Sequence, residues 1–367
     1  MERINGAAPY LPEEIIINIL KRLPVKSLIR FRCVCKHWEN LFKNPFFIAA
    51  HLCQSNQNPS FIFSHDYLLN TLPLRLLDCE MQLRDVQKAR PFDSFASRSC
   101  FNIVGSSNGL LCFVIRLCPR FPFSLLIWNP VTGDGREVPV SRIVDMDKDH
   151  YVLGFGFSPL DNDYKIVSIY GKNRSVVSGV DLYSLSRDSW KEIEVRNLEK
   201  VICHWSTVSS DNGAIFTYGL KLGKEVEKVI VSFDMEKEVF TLISCLPLLD
   251  NLNFNLAVYE NKPAVITISA VGKDSSNVDL WVMEEDITSS GERWSWIKKL
   301  TSGPHPWMFI PGRIWRNEIV LCGIEIGHEI EGCICLFNIS TNEFKTLEIP
   351  EHYPCDFVNY VESLVSV

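Results

Sequence analysis

The chain has 367 residues, 46% of them apolar, with nine Trp and 22 Phe, which leaves room for a small module plus a large, well-filled domain and excludes a disordered chain. A formal net charge of −7 disfavours nucleic-acid binding, which needs concentrated positive charge. The thirteen Cys form no paired framework, the first ten residues lack the basic start and apolar run of a secretory signal, and no stretch reaches the ~18 apolar residues of a membrane span. Reduced thiols and a cytoplasmic or nuclear location, or both, are therefore expected, with Asn173 and Asn338 inert as glycosylation matches.

After an N-terminal tail, residues 1–10, the segment 11–52 reads as three short amphipathic helices. Pro12 suits the first position of a helix, and Ile15, Ile16, Ile19, Leu20 and Leu23 recur along one stripe until Pro24 stops it. Two more pieces follow, Val25 to Phe31 and Val34 to Leu41, with Leu28, Phe31, Val34, Cys35 and Trp38 set between basic residues. About 40 residues cannot build an independent core without staples, so this module wants a partner. Seven Lys or Arg against three Glu make the segment +4, leaving −11 on the remainder, and such a basic face would be steered to an acidic partner.

The run Leu11, Pro12, Glu13, Glu14, Ile15, then Leu23 to Leu28, then Cys33, Val34, Cys35, Lys36 and Trp38 resembles an F-box. The resemblance implies docking onto a Skp-type adaptor, and through it onto the cullin and RING subunits of a ubiquitin ligase. The contact would be made by Leu11, Pro12, Glu13, Ile15, Ile16, Leu20, Leu23, Pro24, Leu28, Val34, Cys35 and Trp38.

Residues 53–367 change to short apolar runs between turn residues, and a repeat emerges. Its first piece is a hairpin with aromatics seven apart, Tyr183 and Trp190, Phe233 and Phe240, Phe337 and Phe344; that spacing sets them opposite on one face of the ladder. Trp128 opens a looser copy without a second aromatic, and Trp281 opens another in which an insertion moves the partner to Trp294 or Trp296. Its second piece is an Asn turn leading into an apolar strand, at Asn108, Asn162, Asn212, Asn261 and Asn317. From these to their hairpin aromatics the distances are 20, 21, 21, 20 and 20 residues, and successive Asn lie 54, 50, 49 and 56 residues apart. All-strand repeats of ~50 residues indicate a β-propeller, and 315 residues hold about six blades. The missing blade would draw on Phe61 to Cys79 and on Asn359 to Val367, which should close the ring against Phe61–Ser64 or Phe101–Gly105.

GSSNGLLC at Gly105, IWNPVTG at Ile127, FGFSPLDNDYK at Phe155, DLYSLSRDSW at Asp181 and YVESLV at Tyr360 resemble the F-box-associated interaction domain of plant F-box and kelch-like proteins, the S-locus group included. The tandem Gly of a true kelch repeat and the Trp-Asp of a WD repeat do not occur. The expected architecture is multidomain α+β, a three-helix F-box followed by an all-β, six-bladed propeller-like domain closed by the C-terminal strand.

Signs of bond chemistry are missing. GFGF at Gly154 lacks the third Gly of a nucleotide fingerprint, and Cys33/Cys35 and Cys333/Cys335 are spaced too closely for tetrahedral zinc. Asp145, Asp147 and Asp149 lack the Gly and Glu of a calcium loop, and none of His37, His51, His150, His204, His305 and His328 has a Ser or Cys near it in sequence arranged as nucleophile and base. No catalytic residue, metal or cofactor is expected, and no membrane or nucleic-acid partner. The expectation is a substrate receptor that presents a target protein for ubiquitination; the alternatives are an adaptor-bound protein acting outside ubiquitination, such as a lectin-like or small-molecule-sensing propeller, or a propeller enzyme. Target contacts should come from the least repeat-like segments, Asp145–Tyr151, Lys172–Ser178, Lys221–Lys228, Val271–Val278 and Ser302–Phe309. Within the last, Trp307, Met308 and Phe309 either fill a blade interface or stand exposed as an anchor.

Overall fold

Pro12 and Pro24 stand immediately before α1 (Glu13–Leu20) and α2 (Val25–Phe31), where φ near −55° pre-sets the helical start. The structure, a computed structural model, describes residues 11–65, 74–86, 100–116, 123–139, 150–171, 176–245, 253–271, 275–288, 291–305, 308–324, 332–348 and 354–367. The third helix, α3 (Lys36–Leu41), starts two residues after Val34 because Cys35 is extended. A fourth follows that periodicity did not reveal: α4 (Pro45–Ser55), capped by Asn44, whose Oδ1 accepts from Phe46 N at 2.8 Å. The expected junction at 52/53 thus falls inside a helix. The four helices enclose Leu20, Val25, Leu28, Phe42 and Phe47, and His51 Nε2 lies 2.9 Å from Leu23 O.

Six four-stranded antiparallel sheets follow, arranged as the blades of a propeller. Blade 1 comprises β1 (Ser60–His65), β2 (Leu74–Leu77) and β3 (Leu83–Asp85). Blade 2 is β4 (Cys100–Ser107) to β7 (Gly135–Val138), with β5 (Leu110–Arg116) and β6 (Phe123–Trp128) between. Blade 3 runs through β8 (His150–Ser158), β9 (Asp163–Gly171), β10 (Gly179–Ser184) and β11 (Ser189–Ile193), and blade 4 through β12 (Val201–Ser209), β13 (Ala214–Lys221), β14 (Glu227–Asp234) and β15 (Val239–Ser244). Blade 5 has β16 (Asn253–Tyr259), β17 (Lys262–Ala270), β18 (Ser276–Thr288) and β19 (Gly291–His305); blade 6 has β20 (Met308–Trp315), β21 (Glu318–Ile324), β22 (Gly332–Asn338) and β23 (Phe344–Glu348).

The ring closes through β24 (Pro354–Tyr360), which joins blade 1 antiparallel to β1, with Ser60 opposite Tyr360 and Phe63 opposite Phe357. Of the two expected partners it takes Phe61–Ser64. The closing strand lies further upstream than expected, since only Asn359 and Tyr360 of the segment Asn359–Val367 belong to it. β24 neighbours both β20 and β4, so it is the innermost strand of its blade, as β4, β8, β12, β16 and β20 are of theirs. Apolar residues gather between adjacent blades, one cluster for each of the six junctions. A closed ring buries every sheet face in this way and leaves only the outermost strands as edges.

The repeat is explained by its turns. Asn108, Asn162 and Asn261 take the left-handed conformation that Asn tolerates; in the other two copies the neighbours Gly213 and Arg316 take it. The aromatic hairpins keep the expected register: Tyr183 opposite Trp190, Phe233 opposite Phe240 and Phe337 opposite Phe344. Ring centroids are 5.3 Å apart in the first pair and 4.6 Å in the second, whereas in the third both rings pack on His305, which stacks on Phe344 at 5.0 Å. Trp128 keeps the spacing with Gly135 opposite. Blade 5 departs from expectation: Trp281 faces Lys298, whose Nζ sits 4.7 Å from the ring centroid, while Trp294 and Trp296 face Glu285 and Met283. Its hairpin is longer, and a bulge at Leu280/Trp281 shifts the count.

Candidate functional site

The blades define two ends. The Asn turns and aromatic hairpin turns lie together at one end, beside which Pro59 leads from α4 into β1; this is the proximal end, occupied by the helices. The connections between second and third strands, and those between blades, lie at the opposite, distal end.

On the helical module the residues expected to dock separate into two sets. Leu20 and Leu28 are buried at 2% and 0% exposure inside the four-helix core, and Ile16, Leu23 and Trp38 are half-buried against it. Leu11, Pro12, Glu13, Ile15, Pro24, Val34 and Cys35 are exposed. Leu11, Ile15 and Ile19 follow one another at four-residue spacing and remain 51%, 45% and 49% exposed; Val34 is 59% exposed. His37 Nε2 lies 3.2 Å from Glu13 Oε1, which draws the start of α3 against the start of α1 and brings Val34 and Cys35 to the same end as Leu11. The result is an exposed apolar stripe on a module whose core is already enclosed, in a segment that also carries Lys21, Arg22, Lys26, Arg30, Arg32, Lys36 and Lys43. Ile19 joins this face although the sequence reading placed it only in the helical stripe.

Topology sets the flanks of all five least repeat-like segments at the distal end. The described residues include Lys221–Lys228, where Leu222 and Val226 are exposed, and Val271, also exposed. Residues 145–149, 172–175, 272–274 and 306–307, Trp307 among them, lie outside the described residues. Met308 opens β20 opposite Ile324, and Phe309 is buried at the junction of blades 5 and 6, 5.7 Å from Phe344. Phe309 therefore fills a blade interface, the structural of the two readings.

The innermost strands are tied across their mouths. Arg313 on β20 donates from Nη1 to Leu256 O at 3.1 Å and from Nη2 to Thr207 O at 2.9 Å, so one guanidinium joins blades 4, 5 and 6. Burial pushes its pKa down to about 10, against the opposing field of Asp356. Asp356 Oδ2 accepts from Ile103 N at 3.2 Å and ties blade 1 to blade 2, and Asn255 Nδ2 donates to Pro311 O at 3.1 Å. These side chains serve the ring, which is the simplest account of polar groups along its axis.

One Ser–His contact appears that sequence reasoning missed: Ser302 Oγ lies 2.7 Å from His305 Nε2. Burial lowers the His305 pKa, and among the described residues no carboxylate bonds the ring to orient it as a base. No group of His, Cys, Asp and Glu among the described residues could hold a metal ion, and no described helix is long and apolar enough to cross a membrane. Cys333 and Cys335 share a face with sulfurs 3.6 Å apart, buried between blades 5 and 6.

A family model described as the F-box associated beta propeller domain matches residues 60–363, and one described as the F-box domain matches residues 9–49. An F-box/kelch-repeat protein of Arabidopsis thaliana is 24% identical over 357 residues, covering 94% of this chain and 90% of its own. An F-box protein of the same plant is 26% identical over 386 residues, covering 97% and 95%. Among solved structures, TolB from Acinetobacter baumannii superposes with a TM-score of 0.46 at 11% identity, over 86% of this chain and 73% of that one.

Proposed function

The chain belongs to the F-box associated β-propeller family, and we propose that it is the substrate receptor of a Skp-cullin-F-box ubiquitin ligase: the N-terminal helices dock a Skp-type adaptor and the distal face of the propeller binds a target protein. The observation that carries this reading is the exposed stripe of Leu11, Ile15, Ile19 and Val34 on helices whose core, Leu20, Val25, Leu28, Phe42 and Phe47, is already enclosed; Phe46 on α4 is exposed as well. An exposed apolar patch on a segment of net positive charge suits a partner with acidic character. The receptor breaks no bond itself; it raises the effective concentration of target lysines beside the charged ubiquitin carrier. The five irregular segments flank the distal end, away from the helices, so target and adaptor engage opposite ends of the ring.

The test uses surface positions. Ile15→Asp or Val34→Asp places a charge in the proposed desolvated contact without touching the helical core, and should reduce adaptor binding at least about 100-fold with the melting temperature unchanged. Leu28→Asp cannot serve, because it would break the core as well. Full adaptor binding by both surface variants would overturn the reading. Recovery of cullin together with the adaptor separates a ligase subunit from an adaptor-bound protein acting outside ubiquitination.

A further inference from the structure

After β24 ends at Tyr360 the chain continues as Val361–Val367 with no further strand, and this segment is seated between the helical module and blade 2. Ser363 and Leu364 are 0% and 1% exposed. Buried Asn129, in the β6–β7 turn, donates from Nδ2 to Ser363 O at 3.0 Å and to Val365 O at 2.8 Å, gripping the backbone on both sides of Leu364. Its Oδ1 accepts from Val131 N at 3.0 Å and so fixes the turn whose Val131 packs on the same helices. Gly109 has φ +85°, and a Cβ there would fall 2.3 Å from Ser363 Cβ and 2.9 Å from Val361 O, so the β4–β5 turn can approach this closely only as glycine. Val365 and Val367 pack into the junction of blades 2 and 3, whereas Leu364 joins Leu20, Val25, Leu28, Phe42 and Phe47 in the helical core.

We propose that Val361–Val367 is a strap through which the closed propeller completes the F-box, so that the docking-competent fold of the helices is conditional on ring closure. Helices of six to eleven residues are marginal in isolation, and five enclosed side chains make a small core. Leu364 supplies the sixth. It lies four residues beyond Tyr360, and the pairing of Tyr360 with Ser60 is what delivers it to the helices. The coupling is reciprocal by linkage: a ligand that binds only the folded helices must also stabilise the seated strap.

The identity of that ligand rests on the proposed function, but the coupling does not, and amide exchange on the full chain tests the two separately. In Leu364→Ala, amides of α1, α2 and α4 should exchange at least about tenfold faster while those of β9, β13 and β17 keep their rates, and Leu364→Met, which keeps the volume, should restore protection. Purified Skp-type adaptor should bind the Ala variant about tenfold more weakly, and in the wild type should slow exchange of the Val365 amide, which donates to Ser363 Oγ at 2.9 Å. Failure of the wild type to bind adaptor would remove the receptor reading and leave the helix exchange rates to decide the strap. Unchanged helix exchange in Leu364→Ala would overturn the strap, as would equal loss of protection in helices and blades.

Discussion

Lys165 is a lysine that the fold turns inward: it lies on β9 with its stem buried and Nζ at the junction of blades 3 and 4. The ammonium donates to Asp161 Oδ2, to Met235 O at 2.9 Å and to Glu238 Oε1 at 3.2 Å, and Glu238 also takes Lys191. The hydrogen bond and charge of Lys165 hold Asp161 below the usual carboxylate range. For Glu238 burial pushes the other way, but Lys191 and Lys165 outweigh it; for Lys165 itself burial is likewise overcome by its two carboxylates, and its pKa rises. The signs fix the window. Carboxylates lowered in the fold contribute stability above their unfolded values, near 4, that fades as pH falls through their folded values; the raised lysine contributes below about 10.5, fading as pH rises through its folded value. Lys165→Met should therefore destabilise by roughly 1–3 kcal/mol at pH 7, less than the loss of a fully enclosed pair because Asp161 is half exposed. The gap in melting temperature between variant and wild type should narrow as pH drops below about 4. A gap of constant size from pH 7 to pH 2.5 would show that the lysine acts through packing alone.

The hairpin element shows why some of this fold was legible in the sequence. A four-residue turn ending in a left-handed residue, Asp188, Glu238 or Asn342, fixes the seven-residue spacing of the aromatics, and the Asn turns need residues that tolerate positive φ; both constraints act locally and leave a period. The residue after each aromatic was overlooked. Asp234 Oδ1 accepts from Glu236 N at 2.9 Å and Lys237 N at 3.0 Å, and Asn338 Oδ1 from Ser340 N at 3.0 Å and Thr341 N at 2.9 Å, so a side-chain acceptor closes each turn. Asn338→Ala leaves two turn N–H groups to water and should cost about 1 kcal/mol by urea denaturation, with Asn338→Asp close to neutral. If Ala and Asp cost the same, the acceptor is not what holds the turn. Features set by tertiary contact stayed hidden. Amphipathic spacing identifies the stripe of α1 but not that Leu20 turns to the core while Ile15 and Ile19 remain open, because both faces carry Ile and Leu. The Trp281–Lys298 pairing follows from a bulge, and Ser302 meets His305 across a second register shift near the end of β19.

At the scale of the whole molecule, two roles merge in the segment 354–367, and deletions can part them. β24 places Phe357 in a stack with Phe61 at 5.5 Å, sets Tyr360 among the residues between blades 1 and 2, and lets Asp356 reach the backbone of β4. Removing residues 354–367 strips blade 1 of its innermost strand and opens the backbone of β1 along with Phe61 and Phe63. A domain holds only about 5–15 kcal/mol of stability against the loss of an inner strand and its packing, so this truncation should be aggregated or degraded. Removing only residues 361–367 leaves β1 to β24 in place and takes away Leu364, Val365 and Val367. That protein should stay soluble with a propeller that still unfolds cooperatively, while its helices lose the anchor on blade 2. In calorimetry it should show a separate, earlier helical transition where the full chain shows one. Two findings would contradict this division of labour: a soluble 354–367 deletion with an unchanged propeller transition, which would mean that the ring does not need its closing strand, or a 361–367 deletion whose helices melt together with the blades.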